Sequence, residues 1–299
     1  MMISLKMTGS VGDKGKNSSV DIYLIKALLN VYARGACKKP LQMNNTFDAD
    51  SLSLLNDFQK NVVRMGIPDG LVSSNQRTFK VLVSNLKNSF RLSSITSPTR
   101  GGLTWDSEGK EGGLFHSRIL HVPSSKSGLT LGRGYDMKGK SSTRVQTELV
   151  KAGLSLFYAQ KLSKGARLSG TNAERFIVEN DLLDFQITAP VQLALFNIAY
   201  SYEESEVKRI CNKGDTVKKY GTVDFNLIPK SVLELFVDLK YRGDYSPQTR
   251  SFLQEPLSKG DISNIKMLMN DRSKWAQVPV ERFNMRSKFA SLIPLGVTP

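Results

Sequence analysis

Residues 127–137 read Ser-Gly-Leu-Thr-Leu-Gly-Arg-Gly-Tyr-Asp-Met, and this stretch decides the fold of the region around it. Its apolar runs are short, and Gly132 and Gly134 lie between them, which predicts a small β-hairpin. Asp136 follows Thr130 by six residues in the sequence. We therefore expect both side chains to leave the same arm of the hairpin.

Four carboxylates occur in residues 101–140: Asp106, Glu108, Glu111 and Asp136. Hydrolysis of a glycosidic bond needs one carboxylic acid that stays protonated and a second carboxylate that activates water or forms a covalent adduct. Glycines occur near Glu108 and Asp136, and they allow tight turns and close approach of a substrate. These features predict a polysaccharide site in a cleft between a β lobe and a helical lobe.

The stretch from Ser127 to Met137, preceded by Glu108-Gly109, resembles the phage-type lysozymes and most closely their pesticin-like branch. The shared pattern is a Glu-Gly at the end of the first helix, a hairpin, and then T-x-G-x-G. The segment SKWAQVPVERFNMRSKFA, residues 273–290, resembles the W…P…R segment that closes the phage-type fold. The resemblance covers residues 103–295 and implies a lysozyme-like domain with a small β-hairpin lobe and a helical lobe.

The same resemblance implies the catalytic roles. Glu108 matches the general acid, Thr130 the threonine beside the attacking water, and Asp136 the aspartate that positions or activates that water. The segment before Glu108, SITSPTRGGLTWDSEG, is a poor helix former, so Glu111 remains an alternative acid. A held water favours direct displacement by an inverting mechanism, with carboxyl groups about 6.5–9.5 Å apart rather than about 5–5.5 Å.

Substrate contacts are expected from the same region. Arg133 and Tyr135 lie inside the motif and are predicted to line the cleft. His121 and His116 are further candidate sugar contacts, and the alternative is that both are ordinary loop side chains. No cofactor is implied.

The cysteine and histidine content argues against a metal site. Cys37 and Cys211 are the only two cysteines, and with two histidines they are too few for a zinc site. Both are expected to be small core residues, and whether they pair is left open.

The N-terminal 90 residues contain three amphipathic segments, over 20–33, 50–65 and 75–87, which predict a three-helix module. Its signatures, Phe58-Gln59, Asp69-Gly70, and Thr78 with Leu82, resemble the peptidoglycan-binding module of cell-wall hydrolases. The predicted organisation is this module at 1–90, a Ser- and Pro-containing linker at 91–102, and a catalytic domain at 103–299. The predicted fold class is mainly α (α+β), with further helices near 142–162, 171–186, 189–202, 231–241, 248–257, 260–270 and 279–291.

The chain is strongly basic, with 42 Lys and Arg against 27 Asp and Glu, a net charge of +15. This charge favours an anionic partner such as a cell wall. The lysines are scattered without a nucleic-acid-binding motif, which argues against nucleic acid. No apolar run reaches the ~18–20 residues of a membrane span, and residues 1–19 lack the apolar core of a secretory signal. We therefore expect no membrane insertion and synthesis in the cytoplasm without a signal peptide.

The leading functional prediction is a muramidase that cleaves peptidoglycan, either an antibacterial effector secreted by a type VI-like machine or a phage endolysin. It would act, as a monomer, in the periplasm or cell wall of a target or host cell, and an immunity protein and a secretion-machine component are the further partners expected. The alternative is a non-catalytic wall-binding or secretion-spike adaptor, which intact Glu108, Thr130 and Asp136 argue against. A lytic transglycosylase would use one catalytic acid without a water-activating partner.

Overall fold

A computed structural model describes residues 5–89, 97–111 and 117–294 of the 299-residue chain. In these ranges the protein is mainly helical with two small antiparallel sheets, which confirms the predicted class at that level. In chain order the elements are β1 (Ser10–Gly12), α1 (Ser19–Gly35), α2 (Ala49–Phe58), β2 (Leu71–Ser73), α3 (Arg77–Ser89), α4 (Gly102–Glu108), β3 (Thr130–Leu131), β4 (Tyr135–Asp136), α5 (Ser142–Lys151), α6 (Leu156–Ser163), α7 (Gly170–Glu179), α8 (Ala189–Cys211), α9 (Gly214–Tyr220), α10 (Lys230–Arg242), α11 (Pro247–Ser258), α12 (Ile262–Asn270) and α13 (Val280–Ser291).

Contacts between residues divide the chain into two compact units. Unit 1 comprises Met1–Ile95 and Lys110–Gln192, and unit 2 comprises Thr96–Gly109 and Leu193–Pro299. The three N-terminal helices therefore belong to the same unit as strands β3 and β4. The predicted boundaries around a linker at 91–102 stay a prediction, and residues 90–96 lie outside the described ranges.

The three predicted N-terminal helices are present as α1, α2 and α3, although α2 ends at Phe58 and continues as a π-helical turn. Ser18 Oγ accepts the backbone N–H of Asp21 and caps α1. Val11 of β1 pairs with Val72 of β2 in an antiparallel sheet that the sequence analysis did not predict. This pairing ties the segment before α1 to the segment before α3.

The buried amide of Gln59 connects several parts of this N-terminal bundle. Its Nε2 donates to Asp69 Oδ1 at 2.6 Å and to Leu71 O at 3.0 Å, and its Oε1 accepts the backbone N–H of Gly70 at 3.0 Å. Thr78 Oγ1 lies 3.3 Å from the same Nε2. The Gln, Asp-Gly and Thr of the module signature therefore stabilise the turn before β2 and its junction with α3.

The glycine-rich stretch forms the predicted hairpin from β3 and β4, with Thr130 opposite Asp136. Gly132 and Gly134 have φ of 58° and 84°, the left-handed region that favours glycine. The two glycines between the arms therefore make the turn possible.

The helices after the hairpin agree with the prediction in position and differ in extent. The segment predicted as one helix over 142–162 is two helices, because α5 ends at Lys151 and Ser155 caps α6. The helix predicted over 171–186 ends at Glu179, α8 extends to Cys211, and α9 was not predicted. The last four predicted helices are α10, α11, α12 and α13.

Helix α4 contributes Leu103 and Trp105 to the apolar core of unit 2. The ring of Trp105 meets that of Phe196 edge to face, with centroids 5.0 Å apart. The backbone N–H of Leu103 donates to Glu234 Oε1 at 3.0 Å, which satisfies one of the N-terminal amides of the helix. These long-range contacts explain why a segment of weak helix propensity forms a helix that ends at Glu108, as the resemblance implied.

Both cysteines are free thiols. Cys211 is buried as expected, but Cys37 is exposed, so the prediction that it is a core residue is wrong: it follows the end of α1, in a turn at φ 54°. None of the helices in the described ranges combines the length and the apolar character needed to cross a bilayer. Across the same ranges, no group of three or more His, Cys, Asp or Glu side chains could hold a metal ion.

Candidate active site

Glu108 is the last residue of α4, and 21% of its side chain is exposed. Burial raises the pKa of its carboxyl from the ordinary value of 4.5, and the positive charge of Arg282 opposes that rise without cancelling it. Arg282 Nη1 donates a hydrogen bond to Glu108 Oε1 at 2.9 Å. A carboxyl that holds its proton more tightly than in water is suited to act as a general acid.

Arg282 belongs to a row of alternating acidic and arginine side chains in unit 2, which we call the salt-bridge row. Its members, in order of contact, are Glu108, Arg282, Asp238, Arg286, Asp244 and Arg242. Asp238 is fully buried and accepts from Arg282 Nη2 at 2.6 Å and from Arg286 Nε at 2.6 Å. Sequence reasoning missed Asp238, because nothing in its local pattern indicates that it meets arginines of α13.

Thr130 and Asp136 are direct partners across the hairpin, one on β3 and one on β4. The prediction that both leave the same arm is wrong, because the chain turns between them. Gly128 connects their side chains: Thr130 Oγ1 donates to Gly128 O at 3.1 Å, and Gly128 N–H donates to Asp136 Oδ2 at 3.2 Å. Asp136 Oδ1 also accepts the backbone N–H of Lys138 at 2.7 Å. Two backbone donors therefore fix the orientation of the Asp136 carboxylate.

His121 lies beside this pair, because it forms an isolated antiparallel bridge with Thr130 on the other edge of β3. Its Nδ1 donates to Ile119 O at 2.7 Å, which leaves Nε2 of a neutral ring as an acceptor. Burial lowers the pKa of the imidazole, so the neutral form is favoured. His121 is thus fixed next to Thr130 by both its backbone and its ring.

Tyr135 and Arg133 are enclosed. Tyr135 is 1% exposed, and its hydroxyl donates to Glu148 Oε2 at 2.6 Å. Burial, with the negative charge of Glu148, raises the pKa of this phenol far above its usual value. Arg133 is 5% exposed, and its Nη2 lies 3.7 Å from Glu111 Oε1. The predicted role of both residues in binding substrate stays a prediction.

Glu111, the alternative acid, is held by charged and polar groups in unit 1. Arg118 Nε lies 2.9 Å from its Oε2, and Gln192 Nε2 donates to its Oε1 at 2.6 Å. Arg118 and Gln192 are each 1% exposed. A carboxylate held by these contacts is fixed inside unit 1 as a structural group, whereas a general acid must be free to reach the glycosidic oxygen. The geometry therefore favours Glu108 over Glu111 for that role.

The structure brings Thr130, Asp136 and His121 together within unit 1 and places Glu108 with Arg282 within unit 2. His116 lies outside the described ranges.

Residues 101–287 match a family whose description is a domain of unknown function, DUF8812. The match spans more than half of the chain and includes α4, the hairpin and α10, with most of α13. A search of the curated proteins finds no match to the chain.

Proposed function

The chain belongs to the DUF8812 family, and we propose that it is a peptidoglycan muramidase that hydrolyses the β-1,4 bond between N-acetylmuramic acid and N-acetylglucosamine. The observation that carries the proposal is the Glu108 carboxyl, whose pKa is raised by burial and which receives one hydrogen bond from Arg282. The glycosidic oxygen needs a proton in order to leave, and a carboxyl in this setting can supply it.

Asp136 is the second carboxylate of the proposal, with Thr130 as its companion. The backbone N–H groups of Gly128 and Lys138 orient the Asp136 carboxylate, and the Thr130 hydroxyl donates to the carbonyl oxygen of Gly128. A hydroxyl can donate to one partner and accept from another, which suits it to hold a water beside a carboxylate. We assign Asp136 as the base that activates this water, in a lysozyme-like domain that inverts the configuration at the anomeric carbon.

The expected partner is anionic peptidoglycan. The net charge of +15 supports attraction to it, and an N-terminal wall-binding module would raise the effective concentration of substrate. Such an enzyme fits an antibacterial effector delivered by a type VI-like machine, with an immunity protein in the producing cell, or a phage endolysin. In either case it acts on the wall of a target or host cell.

The first experiment measures loss of turbidity of purified sacculi with the full chain and two variants. Glu108→Gln keeps the shape of the side chain but has no acidic proton, so we expect activity to fall by about 10²–10⁴-fold. Asp106→Asn is the matched control, since Asp106 is an exposed carboxylate of the same helix. Full activity of Glu108→Gln, or no activity of the unaltered chain on any sacculi, would overturn the proposal.

The second experiment follows the first-formed anomer by proton NMR on a soluble muropeptide oligomer. Direct attack by a water held at Asp136 releases the α-anomer first, and Asp136→Asn should be nearly inactive. Thr130→Ala should be impaired, whereas Thr130→Glu places a carboxylate where the water is held and should accumulate a covalent sugar adduct. Initial release of the β-anomer would mean that Asp136 acts as a nucleophile.

A further inference from the structure

Arg282 is shared unequally between two carboxyl groups. Its Nη2 and Nε both donate to the carboxylate of Asp238, at 2.6 and 3.3 Å, whereas only Nη1 donates to Glu108, at 2.9 Å. The guanidinium fork thus faces Asp238, which is fully buried. A bidentate contact of this kind fixes an arginine in position as well as in charge.

Asp238 is itself held from a second side. Arg286 Nε donates to its Oδ2 at 2.6 Å, and Arg286 Nη1 donates to Asp244 at 2.6 Å. The buried carboxylate of Asp238 therefore lies between two guanidinium groups of α13. Buried ions are tolerated only when they are paired in this way, so the position of Arg282 depends on the presence of Asp238.

The charged groups that act on Glu108 within the described part of unit 2 come from α10 and α13. Burial is the largest influence on its pKa and raises it; the cations of Arg282 and Arg286 lower it, and the anion of Asp238 raises it. Burial raises the pKa of the Tyr241 phenol of α10, and the negative charge of Glu108 raises it further. The pKa of Glu108 thus depends on whether another group already neutralises the charge of Arg282.

We propose that Asp238 is a positioning residue for Glu108: by binding two donors of Arg282 and neutralising its charge, it leaves Arg282 with one hydrogen bond to the Glu108 carboxyl and lets that carboxyl keep its proton. Asp238 acts through Arg282 and touches no reacting atom. The catalytic meaning of this assignment rests on the proposed function, since only a protonated Glu108 can serve as the acid.

The test is a carbon-13 NMR titration of the Glu side-chain carboxyls in the full chain, with the Glu108 signal identified by its loss in Glu108→Gln. In Asp238→Asn the uncompensated Arg282 cation favours the Glu108 carboxylate, and we expect its titration midpoint to fall by about one pH unit or more. Loss of the Asp238 charge between Arg282 and Arg286 could prevent folding. In that case the double variant Asp238→Asn with Arg286→Gln removes one ion of each sign, and the titration midpoint of Glu108 should again fall.

Asp244→Asn is the matched control, because Asp244 also belongs to the salt-bridge row but contacts Arg286 and Arg242 rather than Arg282. We expect a shift less than half of that in Asp238→Asn. An unchanged midpoint in the Asp238 variants, or an equal shift in Asp244→Asn, would overturn the inference.

The titration needs no substrate, so its outcome is separate from that of the proposed function. If the chain cleaves sacculi, the alkaline limb of its pH–activity profile should move to lower pH in Asp238→Asn by the shift that NMR measures. A shifted NMR midpoint in a chain that does not cleave sacculi would support the role of Asp238 at Glu108 and overturn the muramidase assignment.

Discussion

Glu108 and Arg282 lie 174 residues apart in the chain and are joined by a hydrogen bond of 2.9 Å from Nη1 to Oε1. Glu108 ends α4, and Arg282 lies in the first turn of α13, so the contact connects the first helix of unit 2 to its last. Burial nevertheless raises the pKa of the Glu108 carboxyl. The carboxyl is therefore held in place by a cation and still binds its proton more tightly than in water.

This relationship predicts the sign of a pH effect on stability. The folded pKa of Glu108 is raised above 4.5, so its contribution to stability is present below that pH and is lost as the pH rises through the folded pKa. Glu108→Gln removes that loss. We expect the free energy of unfolding of Glu108→Gln to exceed that of the unaltered chain by a margin that grows from pH 4 to pH 7.

Urea unfolding at several pH values measures this margin. Glu281→Gln, at an exposed position on α13, is the control for the loss of one glutamate, and the margin of Glu108→Gln is compared with its margin at each pH. A margin for Glu108→Gln that is constant or shrinks with rising pH would contradict the assignment of a raised pKa.

Gly128 is predicted to be essential for the geometry at Asp136. A Cβ at this position would lie 2.7 Å from Asp136 Oδ1 and 2.8 Å from Leu168 O. Gly128→Ala should therefore displace the carboxylate, costing about 1–3 kcal/mol of stability and reducing activity by up to about 10²-fold. Gly139→Ala is the control, since nothing lies within 4 Å of its added Cβ. Equal activity of the two variants on sacculi would show that the position of Asp136 does not matter.

The N-terminal helices were predictable because their apolar residues repeat with helical spacing, as in Ile25, Leu28 and Leu29 of α1, all of which are buried. The pairing of Val11 with Val72 was not predictable, because two three-residue strands far apart in sequence carry no periodic signal. The helix propensity of the residues before Glu108 does not predict α4, because the helix is stabilised by packing of Trp105 against Phe196.

The candidate site was predictable to the extent that the hairpin motif marks Thr130 and Asp136. Their contact through Gly128 was not, because it depends on backbone atoms that the sequence pattern does not orient. Asp238 carries no local signal, since it is one of two acidic residues in an otherwise ordinary amphipathic helix, the other being Glu234. Its partners, Arg282 and Arg286, are reached only through the tertiary fold.

Glu111→Gln should separate a structural carboxylate from a catalytic one. The change removes the anion that lies 2.9 Å from the buried Arg118 guanidinium, which costs about 3–5 kcal/mol. We expect a less stable protein whose activity per folded molecule is retained, the reverse of Glu108→Gln. Thermal unfolding together with activity on sacculi, corrected for the folded fraction, measures both. A stable but inactive Glu111→Gln beside an active Glu108→Gln would move the acid to Glu111.

Residues 1–95 should fold when expressed alone. Arg34 joins α1 to Asp181 at 2.8 Å and to Asp184 at 2.6 Å, but these partly exposed pairs each contribute only about 0–1 kcal/mol. Leu55, Phe58 and Leu82 of the N-terminal helices are buried. Cooperative urea unfolding tests the fold, and co-sedimentation with sacculi tests wall binding. No co-sedimentation, with equal activity of residues 100–299 and the full chain on sacculi, would contradict a binding role.

The most direct test of the central claim identifies the bond that is cleaved and the atom that is added. Sacculi are digested by the full chain in water enriched in oxygen-18, and the released muropeptides are analysed by mass spectrometry. The account predicts products that end in reducing N-acetylmuramic acid carrying one oxygen-18 atom, absent when Glu108→Gln replaces the unaltered chain. Products that end in anhydro-N-acetylmuramic acid without the label, or in reducing N-acetylglucosamine, would contradict it.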